Sequence, residues 1–166
     1  MSGSQVYIGT PNGVILCVDQ RKQDRIAARY YTSYEAEPKY VESWVQLLFE
    51  MEQFFDELQF PFPSTNNRSF KQLHPKRYHD DRKEKIMKDE ELLRMHGDLG
   101  SFIIRVQHRQ NSSWQGRITW VEKNQTILFR SVWEMIKLME SALDSVSPPE
   151  EPEDTLTWPE TDKRSE

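Results

Sequence analysis

His74 and His79, with four residues between them and Asp80 and Asp81 directly after, are the side chains of this sequence that most resemble metal ligands. Imidazoles and carboxylates both hold divalent ions. The spacing fits no pair one helical turn apart, however, and Lys76, Arg77, Arg82 and Lys83 surround the cluster with charge that repels a cation. The segment reads as a solvated basic loop, and no metal site is expected. Ser112 and Ser113 lie near His108, but without the glycine-flanked elbow that exposes a nucleophilic serine. An Asn-Ser-Ser run is turn chemistry. The six glycines are scattered, so no loop is built to cradle phosphate. Acids are abundant, yet nothing singles out a pair of carboxylates. No catalytic residue is assigned, no cofactor is expected, and the chain reads as non-enzymatic.

What remains is a basic and amide-bearing face. Residues 101–110 and 114–122 alternate, with Phe102, Ile104, Val106, Trp114, Ile118 and Trp120 on one side. Arg105, Gln107, Arg109, Gln115, Arg117 and Thr119 fall on the other, with Arg130 close by. Guanidinium groups match carboxylates and phosphates with two hydrogen bonds, and glutamine amides bond bases or backbone. Trp114, at the hairpin turn, would stack on a base if exposed, although its parity is that of the buried residues. Two ligands suit such a face. An acidic protein partner is the preferred one, and single-stranded DNA or RNA, helped by Lys71, Lys76, Arg77, Arg82, Lys83 and Lys85, is the alternative.

Charge along the chain is polarised. The formal net charge is -5, but residues 147–166 alone carry seven acids and two bases, and residues 1–58 carry nine acids and five bases. Residues 68–88 have eight bases and three acids, and residues 101–131 five bases and one acid. The acidic parts oppose nucleic acid and argue for a protein partner. Cys17 is the only cysteine, which excludes an intrachain disulfide, and it sits in the apolar run Val14–Val18, where a small core residue is expected. No run of apolar residues is long enough for a signal peptide or a membrane span, so a cytoplasmic protein without membrane association is expected.

The elements that must position these residues form two similar sets. Gln5–Ile8, Val14–Val18 and Arg25–Tyr34 read as strands, with a turn at Thr10–Gly13. A helix is expected over 39–58, where Tyr40, Val41, Trp44, Leu47, Leu48, Met51, Phe54, Phe55 and Leu58 recur every three or four residues. Strands over 101–110, 114–122 and 125–130 then lead into a helix over 132–146. That helix opens on Ser131 and Glu134, a serine with an acid three positions on. The two helices align at an offset of 88, with Ser43 on Ser131, Met51 on Met139, Glu52 on Glu140 and Asp56 on Asp144. An internal duplication is expected.

The fold class is therefore α+β: two β-β-β-α units, 1–58 and 101–146, building about six antiparallel strands in one sheet or two, with both helices on one face. A charged connector, 59–100, carries a short helix near 89–96, and 147–166 form an acidic tail expected to be disordered. The expected core is Trp44, Leu48, Met51, Phe55, Phe102, Ile104, Ile118, Trp120, Phe129, Trp133, Ile136 and Met139.

The stretch Arg105-Val-Gln-His-Arg-Gln-Asn-Ser-Ser-Trp-Gln-Gly116, continuing through Phe129-Arg-Ser131, resembles a family of short, functionally uncharacterised proteins of gut-type Firmicutes. The likeness covers about 98–146 and, more loosely, the first half. It implies a bacterial cytoplasmic setting and brings no activity, cofactor or site. The order of strands and helices is also similar, in topology only, to Whirly-type single-stranded DNA binders, although each unit here is one strand short.

Overall fold

The computed structural model describes residues 8, 10–65, 68–72 and 84–146. The His74/His79 cluster, most of the basic connector, Gln5–Tyr7 and the tail 147–166 lie outside the described residues.

Six antiparallel strands form one sheet in the order β3-β2-β1-β4-β5-β6. Strands β1 (Val14–Lys22), β2 (Arg25–Thr32) and β3 (Lys39–Ser43) lead into α1 (Trp44–Leu58). A four-residue helix, α2 (Asp89–Leu92), stands in the connector. Strands β4 (Gly100–His108), β5 (Gln115–Trp120) and β6 (Gln125–Phe129) then lead into α3 (Val132–Val146). The fold is α+β with a single continuous sheet. Both helices lie on one face of it, over a core that includes Val14, Leu16, Tyr30, Leu47, Phe55, Phe102, Ile104, Phe129 and Met139. The units meet where β1 pairs with β4, at the centre, which is why Val14–Val18 is an unbroken apolar run buried on both faces.

The first unit is framed differently from its sequence reading. Ile8 is not in a strand, and the third strand is Lys39–Ser43, which the apolar spacing assigned to the helix. Val41 pairs with Ala28 in the sheet, and the helix begins only after Ser43, whose hydroxyl accepts a hydrogen bond from the Gln46 amide at 3.1 Å. A short alternating strand followed by a helix mimics a longer helix when its apolar residues fall in phase. The helix expected near 89–96 is a single turn, Asp89–Leu92. In the core, Trp133 is 66% exposed rather than buried, and Leu48, Trp120 and Ile136 are only half-buried. The deep positions of α3 are Met135, Met139, Ala142 and Leu143, so its buried stripe is rotated from the expected one.

The offset of 88 runs through the strands as well. Val14 pairs with Thr32 and Phe102 with Trp120; Val18 pairs with Ala28 and Val106 with Gly116. Ala28–Val41 and Gly116–Phe129 are likewise 88 apart. Ile15 faces Ile103, its own counterpart, so an approximate two-fold axis passes between them. Each first strand also carries a bulge at the same place, between Val18 and Gln20 and between Val106 and His108. A bulge adds one residue and reverses which face the following side chains take.

The outer face, away from the helices, is covered only in part. Ile8, Ile15, Cys17, Tyr31 and Ile103 pack there under Leu92, with Met87, Leu93 and Met95 of the connector alongside. The Ser33 carbonyl accepts from the amides of Ile86 and Met87 and anchors this cover. Burial pushes the Cys17 thiol from 9.0 up to about 11. A raised thiol pKa keeps the folded state protonated while the unfolded state ionises, so the stability it contributes is present below pH 9 and is lost as pH rises towards 11. Native Cys17 is expected to react with iodoacetamide at pH 8 at least about a hundredfold more slowly than the denatured chain. Equal rates would place the thiol at the surface.

Candidate interaction face

The bulge in β4 decides where the basic residues go. Before it, Arg105 lies on the outer face and pairs across the strands with Arg117. Its Nη2 donates to Thr119 Oγ1 at 2.9 Å, and Thr119 Oγ1 lies 2.8 Å from Thr126 Oγ1. Arg117 is exposed and has no ion pair among the described residues. Gln107 is the extra residue of the bulge and is also exposed.

After the bulge, Arg109 turns to the helix side, so its expected place on the outer face is corrected. Its side chain is 6% exposed. Nε donates to the Pro61 carbonyl at 2.6 Å, Nη1 donates to Asp56 Oδ1 at 2.8 Å, and the guanidinium lies 5.8 Å from the centre of the Phe55 ring. Arg109 ties the second unit's first strand to the first unit's helix. Its counterpart Arg21 follows the other bulge and does the reverse, bonding Glu140 and Asp144 on α3. Asp56 and Asp144, which repeat at an offset of 88, are thus the partners of two arginines that repeat at the same offset.

Trp114 is corrected as well. It is 6% exposed and sits edge-on to Phe55, ring centres 5.3 Å apart, in the core under α1. It offers no stacking platform. Gln115 closes the β4–β5 hairpin: its Oε1 accepts from the Gln110 amide at 2.9 Å and its Nε2 donates to the Gln110 carbonyl at 2.9 Å. Arg130 donates to Glu134 at 3.0 Å, a hydrogen bond that raises the arginine's pKa and lowers the carboxyl's. Thr119 is buried between its neighbours. Of the eight candidate residues, Gln107 and Arg117 are exposed on the outer face with Arg105 half-buried beside them, Thr119 lies beneath, and the others serve the fold.

The counterpart of this face in the first unit is self-satisfied. Arg29, equivalent to Arg117, donates to Asp19 through Nε at 2.9 Å and Nη2 at 3.0 Å. Its Nη2 also donates to the His96 carbonyl at 2.7 Å. The hydrogen bonds it donates to Asp19 hold the Arg29 guanidinium above the ordinary arginine range, against the cost of burial. In the second unit the residue at the Asp19 position is Gln107, and the one at the Cys17 position is Arg105. The second unit thus has an amide where the first has a carboxylate, and a cation where the first has a thiol. The sequence reading placed a short helix in this connector but not its packing over the first site, since the apolar residues Leu92, Leu93 and Met95 are few and set among charges.

Among the described residues no three histidine, cysteine or acidic side chains converge as a metal site, and no helix is long and apolar enough to cross a membrane. No protein-family model, curated protein or solved structure matches the chain.

Proposed function

We propose that this is a non-enzymatic binding protein of the cytoplasm that recognises an acidic protein partner through Arg105 and Arg117, with Gln107 at the edge of the contact. The observation that carries the reading is the exchange of Asp19 for Gln107 at equivalent positions. Like charges directly opposite on a sheet are destabilising, and two arginines face each other across β4 and β5. A carboxylate from a partner would supply in trans what Asp19 supplies within the first unit. The common register, bulges and arginine–acid pairs support an origin of the two units by duplication, after which one copy kept its own acid and the other gave it up.

Nucleic acid is the weaker ligand for this face, because Trp114 and Arg109 are engaged in the core and Arg130 with Glu134. The test is the single substitution Arg117→Glu in the full chain. It should stabilise the protein by about 0.5 kcal/mol, since it sets an acid opposite Arg105, and should weaken binding of a glutamate-rich peptide about tenfold or more. Unchanged peptide binding would sink the proposal. Tight binding of single-stranded DNA with a steep loss in salt, and none of the peptide, would replace it with the nucleic-acid reading.

A further inference from the structure

The two edges of the sheet, β3 and β6, are guarded differently. Strand β3 carries Lys39 and Glu42, and Lys39 pairs with Glu50 of α1 at 3.3 Å. One turn further along α1, Phe54 is 6% exposed and packs edge-on against Tyr30, ring centres 6.3 Å apart. Charged side chains on an edge strand discourage the addition of a further strand. Strand β6 reads Gln-Thr-Ile-Leu-Phe and carries no charge. At the positions equivalent to Lys39, Glu50 and Phe54 stand Ile127, Leu138 and Ala142. With Ile118 and Trp120 they line an open apolar groove of about 200 Å³ between β6 and α3. Ile127 is 51% exposed and Leu128 61%.

We infer that the acidic partner binds as an extended strand of alternating apolar and acidic residues, added to β6; the inference rests on the acidic-partner reading above. Ile127 pairs with Ile118 and lines the groove on the helix side. Leu128 pairs with Arg117, so both lie on the outer face. On an added strand, the residue opposite Ile127 points into the groove and must be apolar. The residue opposite Leu128 points outward and stands about 10 Å from Arg117, two strand spacings away. An arginine and a glutamate side chain span that distance together, across the exposed Leu128. Arg105, paired with Arg117 on the next strand, adds to the positive charge that an outward acid meets. The groove and the arginines thus ask for opposite characters at adjacent positions, which an extended chain presents and a helix does not. Main-chain bonds to the open edge supply affinity, and the two faces supply specificity.

Three peptides matched to the five residues of β6 test this on the full chain. They are Val-Glu-Val-Glu-Val, the same peptide N-methylated at the amides that would face β6, and Ser-Glu-Ser-Glu-Ser. The first should bind at least about tenfold tighter than either control and slow hydrogen exchange of the outward amides of β6. Ile127→Lys, which gives β6 the charge that β3 carries at the equivalent position, should weaken that binding about tenfold, as should Arg117→Glu. Equal binding of either control, still weakened by Arg117→Glu, overturns the alternating strand and leaves the acidic partner standing. Binding of no peptide, or binding that ignores Arg117→Glu, overturns both readings. Outward β6 amides that are already slow in the peptide-free monomer also overturn the inference, because the chain then covers its own edge. Slow exchange confined to a sedimenting dimer overturns it in favour of a second copy.

Discussion

Replacing Arg109 with alanine is expected to destabilise the protein by about 3 kcal/mol, read from the midpoint of urea unfolding. Three contacts go at once: the Pro61 carbonyl, the Asp56 carboxylate and the Phe55 ring. A hydrogen bond to a charged group contributes about 1.5–3 kcal/mol when its loss leaves a buried partner unsatisfied. Pro61 is buried, so its carbonyl is such a partner; the Asp56 side chain is 29% exposed and regains water, which holds the total near the lower end of the roughly 3–5 kcal/mol for breaking a buried pair. Arg21→Ala should cost less, because Asp144 is half open to solvent. Arg109→Lys should recover only part of the loss, since an ammonium cannot span a carbonyl and a carboxylate as the planar guanidinium does. A loss below about 1 kcal/mol for Arg109→Ala would mean that the pair is a surface contact in effect.

The different fates of Arg105 and Arg109 also mark the limit of what alternation could reveal. Period-two reading puts both on one face, and it holds as far as Val106. One inserted residue, Gln107, then inverts the rest of the strand, and nothing in the local composition announces a bulge of this kind. The signal that existed was not local. Arg21 and Arg109 stand 88 apart, as do Glu52 and Glu140, and Asp56 and Asp144. Charged identities on the flanks of two helices invite a search for equally spaced bases, and that search ends at the two arginines. The same offset, carried from the helices back through the strands, would have placed Val41 opposite Ala28 as Phe129 lies opposite Gly116, and so separated β3 from α1. The helix over 132–146, the α+β class and the second unit's strands were legible because each carries a run of periodic apolar residues long enough to read, Phe102, Ile104 and Val106 in β4 among them. The cover over the outer face was not, because a one-turn helix held by a few apolar side chains leaves almost no periodicity to read.

Because the helix-side core is continuous across both units, neither should fold or melt alone, and Phe55 is where that expectation is most exposed. Phe55 belongs to the first unit's helix, is fully buried, and packs against Trp114 of the second unit at 5.3 Å and beneath Arg109. Phe55→Ala is expected to cost about 4 kcal/mol, combining lost transfer energy with a cavity that the sheet beneath cannot collapse to fill. If the units share one core, that loss falls on the whole molecule: unfolding stays a single transition, and fluorescence of the second unit's tryptophans and far-ultraviolet dichroism move together. A double-mutant cycle of Phe55→Ala with Trp114→Ala should return a coupling of about 1 kcal/mol, the edge-on ring contact beyond area alone. The opposite outcome is equally readable. Two separated transitions in Phe55→Ala, with the second unit's signal unmoved, would make each three-stranded unit a domain in its own right and reduce the β1–β4 seam to a contact between neighbours.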